Sequence, residues 1–392
     1  MSYRKLKADY LFDGHKIYEE AAVLICGQDG TLEAIVGEKE AGGDVEEISG
    51  MLSPGFINSH CHLELSHLKG LIPEKQGLVN FVFSVVNHRN LSRELKLQAM
   101  ITAESDMLRS GIVAVGDICN TSDSLIPKAA KRMAYFNFIE LFGWLPAQAT
   151  ARFEAGEKLI ALFSKQEQNE EHQSLNPHAP YSVSDELWNL LAPRFRGKTI
   201  TIHNQESAAE NEFFESGKGD LNRMYTLMNI DTRHFKVPGT RSLPYYLPKL
   251  KTASKILLVH NSFMKEADMM QARSFSDNLF FCLCPNANRY IEDCLPDIPL
   301  FVKNKCQIVL GTDSLASNHQ LSILEEMKTI KKNFPSITLS QMLPWATSNG
   351  ARALGFEEKL GDFSRGKKPG IVLLENLAND ELVETTTIKR IL

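Results

Sequence analysis

Eight short apolar runs punctuate the chain: Gly55–His62, Gly111–Cys119 (GIVAVGDIC), Met133–Leu141 (MAYFNFIEL), Ser174–His178, Thr199–His203 (TITIH), Lys255–His260 (KILLVH), Asn278–Cys284 (NLFFCLC) and Cys306–Asp313 (CQIVLGTD). Between them lie longer segments, such as Leu91–Arg109, Asp185–Phe195 and Leu321–Phe334, with helical spacing of apolar positions. Strand runs alternating with helical patterns are the mark of βα units and a parallel sheet. Eight such units predict an α/β fold, a (βα)8 barrel over residues 51–359.

The flanks have a different pattern. Residues 1–50 hold short alternating segments, with DG twice and GG once as turn signals, and the tail from 360 to 392 is also strand-like. The two ends are expected to pair as a small β-sandwich outside the barrel. No internal repeat, low-complexity tract or long linker interrupts this plan.

Composition narrows the function classes. The chain has 392 residues, 43% hydrophobic and 23% charged, enough to bury a large core. A net charge of −5 without a block of Lys or Arg argues against a nucleic-acid partner and for a small-molecule substrate. The N-terminal stretch lacks the apolar core of a signal peptide, and no run is long enough to span a membrane, so no membrane partner and a cytoplasmic location are expected. Seven cysteines without a CxxC pair fit a reducing compartment and small buried apolar roles. A homo-oligomer is compatible with all of this.

The polar residues at the ends of the runs carry the chemistry. His60 and His62 are two apart, so on a strand both imidazoles face the same side. His178, His203, His260 and Asp313 end further runs, and five of the eleven histidines thus fall at the barrel rim where active sites are built. Alone, an HxH pair is also compatible with a polar strand end. With His203 and Asp313 added, the three imidazoles and one carboxylate form an N3O set suited to one divalent transition metal, zinc with iron as the alternative. Such an ion lowers the pKa of its bound water to about 7. Glu206, three residues after His203 in TIHNQES, is placed to collect and deliver a proton. Glu210 and Glu212 in the same acidic stretch read as surface charges. His260, at the buried end of its run, is placed to orient the attacking water, but by itself it reads as a satisfied core histidine.

Taken in order, SPGFINSHCH, NPHAPYSVS, TIHNQES, LLVHNSF, CPNANRY and LGTDSLASN resemble the amidohydrolase superfamily, in particular its mononuclear aminohydrolase branch of deaminases and triazine chlorohydrolases. The resemblance covers Ser53 to Gly370. It implies His60, His62, His203 and Asp313 as metal ligands, Glu206 as the proton-shuttling acid, and His260 and Asp313 as catalytic groups that assist the metal-activated water. Relatives with two metals carry a bridging carboxylated lysine or glutamate at the fourth strand; NPHAPYS has neither, and one metal is expected.

The PHAPYS segment is similar to deaminases of S-adenosylhomocysteine and methylthioadenosine, in which the histidine matching His178 contacts substrate. HLELSHLKG, CPNANRYI and GTDSLASNHQ further resemble 6-aminodeoxyfutalosine deaminases. Glu64 and Ser314 are the other substrate-side candidates. The benzoate of aminodeoxyfutalosine calls for an arginine, with Arg89, Arg223 and Arg289 available. Two departures stand out: GTDS replaces GTDG, which touches the substrate side, and KKPGIVLL replaces the usual tail motif.

The implied reaction is hydrolytic deamination of an amino-substituted heterocycle, most closely an adenine-type nucleoside, with water as the second reactant. A triazine-type chlorohydrolase and a guanine or cytosine deaminase are the alternatives within this chemistry, although guanine deaminases carry an Arg-Phe pair where this chain has PHAPYS. A two-metal amide hydrolase fits less well because the bridging residue is missing. A non-catalytic barrel acting as a binding protein is the alternative of a different class.

Overall fold

The computed structural model describes residues 3–18, 20–88, 91–167 and 171–392, with the side chain of Glu167 excepted. Arg89 lies outside the described residues.

Strands β1 (Tyr3–Leu11), β2 (Ala22–Gly27), β3 (Leu32–Gly37) and β4 (Glu46–Pro54) open the chain. Next come β5 (Phe56–Cys61), β6 (Ile112–Cys119), β7 (Ala134–Leu141), β8 (Gln173–Pro177), β9 (Thr199–Asn204), β10 (Lys255–His260), β11 (Leu279–Leu283) and β12 (Ile308–Leu310). β13 (Ile371–Glu375) and β14 (Thr387–Arg390) close it.

β5 to β12 form two parallel four-stranded sheets, ordered β5-β6-β7-β8 and β9-β10-β11-β12. Two seams join them into one round. At the first, Cys61 bridges Asp313, and the Thr312 and Asp313 N–H groups donate to the His60 carbonyl at 3.0 and 3.1 Å. At the second, His203 N–H donates to the His178 carbonyl at 3.0 Å and Ser174 Oγ to the Thr199 carbonyl at 2.7 Å. The eight strands coincide with the eight apolar runs to within a residue or two, except that regular β12 ends at Leu310, before Asp313.

The strands are continuous apolar runs because both faces are covered: β5, β6, β8, β9, β11 and β12 are buried at every position. Ile57, Ala114, Phe138, Leu257, Val259, Phe280 and Val309 pack in one cluster with Ala351, Leu354 and Phe356 of the C-terminal part. A larger cluster, including Met107, Trp188, Phe301, Met327 and Leu343, packs the helices against the strands.

The termini pair as expected, but as one six-stranded sheet ordered β14-β13-β4-β1-β2-β3. Its apolar cluster joins Leu6, Leu24 and Leu52 to Phe363 and Leu373. The expected division at residue 50/51 falls inside β4, which runs on through Gly55 directly into β5. His60 and His62 are therefore only a few residues from the terminal sheet. All seven cysteines are free and five are buried. Among the described residues no helix is long and apolar enough to cross a membrane.

Candidate active site

The first seam brings His60, His62 and Asp313 together. Asp313 Oδ1 lies 3.3 Å from His62 Nε2 and 3.6 Å from His60 Nε2. This closeness needs Gly311: a Cβ there would stand 2.8 Å from His60 Cβ and 2.9 Å from Cys282 Sγ, so any larger residue would push β12 away from β5. The second seam supplies His203, whose Nε2 faces His62 Nε2 at 3.3 Å. Its Nδ1 lies 2.8 Å from the His178 carbonyl, an acceptor, which puts the proton on Nδ1 and leaves the Nε2 lone pair free.

The ligand atoms of His60, His62 and His203 lie within 4.8 Å of one another, as do those of His60, His260 and Asp313. Among the described residues, neither ring nitrogen of the fully buried His60 has a hydrogen-bond partner, an arrangement that is costly unless something else binds there. Burial holds His62 and His260 well below the ordinary histidine range and brings His203 to about 4. The imidazoles are thus neutral at neutral pH, the form that binds metals. Burial works against the Asp313 carboxylate, but the neighbouring rings of His60, His62 and His260 outweigh it and hold Asp313 well below the usual range. Three imidazole nitrogens and one carboxylate, gathered at one place with His60 buried, fit a divalent transition ion.

Glu206 follows the end of β9 through Gln205, whose φ is +46°. Two contacts hold this turn: Gln205 N–H donates to Glu210 Oε1 at 3.1 Å, and Phe263 N–H donates to the Gln205 carbonyl at 2.9 Å. Glu210 is therefore buried and structural, which corrects its reading as a surface charge; Glu212 is exposed. Glu206 is nearly buried, and desolvation, followed by the charges of Asp313, Glu292 and Glu210, raises its carboxyl well above the ordinary range. His260 Nε2 lies 3.6 Å from Glu206 Oε1, and Asn288 Nδ2 donates to His260 Nδ1 at 3.4 Å. Ser317 Oγ donates to Asp313 Oδ2.

His62, His203, Glu206, His260 and Asp313 line a cavity of about 440 Å³. His178 and Ser314 line it, and His178 Nδ1 is 2.7 Å from Ser182 Oγ. The other substrate-side candidates lie elsewhere. Glu64 accepts from Asn120 and Thr121 N–H at 3.1 and 3.0 Å and from Ser124 Oγ at 3.3 Å, so its carboxylate ties down the loop after β6 instead of facing the cavity. Arg223 is paired with Asp220 and Asn80, and Arg289 lines a separate small pocket with Glu74 and His319. The cavity instead has Arg152, its guanidinium 5.4 Å from the Phe142 ring centroid, and Glu140 at the end of β7. Glu140 had a signal, being the one charge in the apolar run FNFIELF; Arg152, on a solvated helix face, had none. Leu78, Phe81, Val82, Trp144, Met224 and Tyr225 supply much of the apolar wall.

The chain matches the amidohydrolase family over residues 51–389. It is 27% identical over 360 residues, covering 87% of this chain and 85% of the relative, to an aminodeoxyfutalosine deaminase of Nitratiruptor sp.. A solved Helicobacter pylori aminofutalosine deaminase in complex with methylthio-coformycin superposes with a TM-score of 0.79 at 21% identity, over 97% of this chain and 93% of that one. A zinc-bound adenosine deaminase from Xanthomonas campestris superposes with a TM-score of 0.71 at 19% identity, over 95% and 84%. With a barrel whose two seams assemble the N3O set and a family match across most of its length, the chain belongs to the amidohydrolase family.

Proposed function

We propose that this protein is a metal-dependent hydrolytic deaminase of an adenine-type nucleoside, in the class of aminodeoxyfutalosine, S-adenosylhomocysteine or methylthioadenosine. The observation that carries this reading is the N3O set and the buried Glu206, its carboxyl raised above the ordinary range by desolvation, in a cavity that is otherwise largely apolar. Such a wall suits a flat heterocycle and its substituent. The deaminases named among its relatives point the same way.

His60, His62, His203 and Asp313 would hold one divalent ion, with zinc favoured by the zinc-bound structural neighbour. When bound, the ion supplies a Lewis acid that brings the ionisation of water into the neutral range. The protein's own groups do the rest. Glu206 would deliver a proton to the ring nitrogen beside the carbon that bears the amine; of the two protons of the attacking water, one would pass through Asp313 to the departing ammonia and the other, released as the carbonyl forms, would restore Glu206. His260, held by Asn288, orients the attacking water. The apolar walls exclude bulk water and strengthen these contacts. Arg152 beside Phe142 fits a substrate with an anionic far end, which aminodeoxyfutalosine has and methylthioadenosine lacks. A cytoplasmic location belongs to the same reading.

The test is ammonia release from adenine nucleosides, aminodeoxyfutalosine, guanine, cytosine and chlorotriazines, with metal content measured on the same sample. Release of chloride instead of ammonia would make it a chlorohydrolase. Glu206→Gln is expected to keep its metal and lose about 10²- to 10⁴-fold in turnover. Full activity in that variant would remove Glu206 from the mechanism.

A further inference from the structure

Glu140 is the carboxylate in this cavity that neither the N3O set nor proton transfer uses. It ends β7, is 9% exposed, and lies with His178 and His203 so that one ligating atom of each falls within 4.8 Å of the others. That places it beside His203 of the N3O set, in the wall of the same cavity. An ionised carboxylate only accepts hydrogen bonds and has about four lone-pair positions to fill. Asn120 Nδ2 donates to Oε2 at 3.0 Å. Oε1 stands 3.6 Å from His203 Nδ1, whose proton is directed to the His178 carbonyl. Among the described residues no lysine or arginine pairs with Glu140. A nearly buried charge with so few donors has acceptor positions left for a ligand.

We propose that Glu140 is a specificity-determining residue that accepts hydrogen bonds from the vicinal sugar hydroxyls of the substrate. This rests on the nucleoside reading above. In a nucleoside the sugar is joined directly to the base, so a base held at the N3O set brings its sugar to the neighbouring wall. A single carboxylate takes two adjacent O–H donors, one per oxygen. The same charge disfavours an anionic group at this position.

The test compares metal-loaded wild type with Glu140→Gln and Glu140→Ala on an adenine nucleoside and on its 2′,3′-dideoxy analogue. Wild type is expected to lose about 100-fold in kcat/KM when the hydroxyls are removed, a site built for hydroxyl donors being left unpaired. Glu140→Gln is expected to lose a similar factor on the hydroxylated substrate, yet to stay within about threefold of wild type on the dideoxy analogue. That retained activity also shows that the variant is folded. Equal losses on both substrates would overturn the proposal, because Glu140 would then act only through His203. So would a second metal ion per chain that disappears in Glu140→Gln. If wild type releases no ammonia from any adenine nucleoside, the deaminase reading fails separately. Calorimetric binding of inosine against 2′,3′-dideoxyinosine then tests Glu140 alone, and equal affinities would overturn its role.

Discussion

His260, Asn261, Asp313 and Gln205 all have positive φ, between +46° and +73°; His260 is the last residue of β10, and the others lie just past the ends of β10, β12 and β9. Such backbone costs on the order of 1–3 kcal/mol per residue and persists only when its surroundings hold it. Here they do: Asn204 Nδ2 donates to Asn261 Oδ1 at 2.9 Å, Asn261 Nδ2 donates to the Leu258 carbonyl at 2.8 Å, and Tyr246 donates to Asn204 Oδ1 at 2.7 Å. Glu210 does the same for Gln205, and its burial pushes its carboxyl up to about 7. A carboxyl raised in the folded state contributes stability that is fully present below its unfolded pKa near 4.5 and is lost as pH rises through about 7. Among the described residues Oε2 of Glu210 has no hydrogen-bond partner, so an amide nitrogen can replace it. Glu210→Gln is therefore expected to melt close to wild type at pH 5 and to be more stable than wild type at pH 8 by about 1–3 kcal/mol. A pH-independent difference in melting between the two proteins would contradict this. The acidic stretch NQESAAENE did not distinguish these glutamates, because the turn at Gln205 decides which one faces inward.

The strand elements were readable because a parallel strand covered on both faces must be apolar throughout. The eighth was the least regular: its run continues through Gly311 to Asp313, but the ladder stops at Leu310 so that the chain can turn toward His60. What holds the end of β5 in place came from a distant element. Asp117, on β6, accepts the Leu63 N–H at 2.9 Å, one residue after His62, and pairs with Lys128 Nζ at 2.5 Å, both side chains being fully buried. Burial alone would lower the lysine pKa, but the Asp117 charge outweighs it. Lys128→Met leaves that charge unpaired and is expected to destabilise the protein by about 3–5 kcal/mol in urea unfolding. Adding Asp117→Asn should restore part of the loss, since its Oδ1 still accepts from Leu63. Equal stability of wild type and Lys128→Met would show that the pair is dispensable.

Across the whole molecule, the proposed metal-binding residues come from both four-stranded sheets: His60, His62 and Asp313 meet at one seam and His203 comes from the other. An ion held by all four ties the halves together. Its removal by a chelator is expected to lower stability, by about 3 kcal/mol relative to protein in free ion at a hundred times Kd. Thermal melting with and without chelator checks this; an unchanged melting temperature at matched pH would mean that the ion does not bridge the halves. The eight strand runs, the candidate ligand types and the candidate acid were legible in the sequence, because burial demands apolar runs and metal chemistry demands particular side chains at their ends. The closed order of strands alone decided which of these ends meet. Only that closure placed Glu140 and Arg152 in the cavity, turned Glu64 to a loop and Glu210 inward, since a side chain's neighbours depend on contacts between residues far apart in the chain.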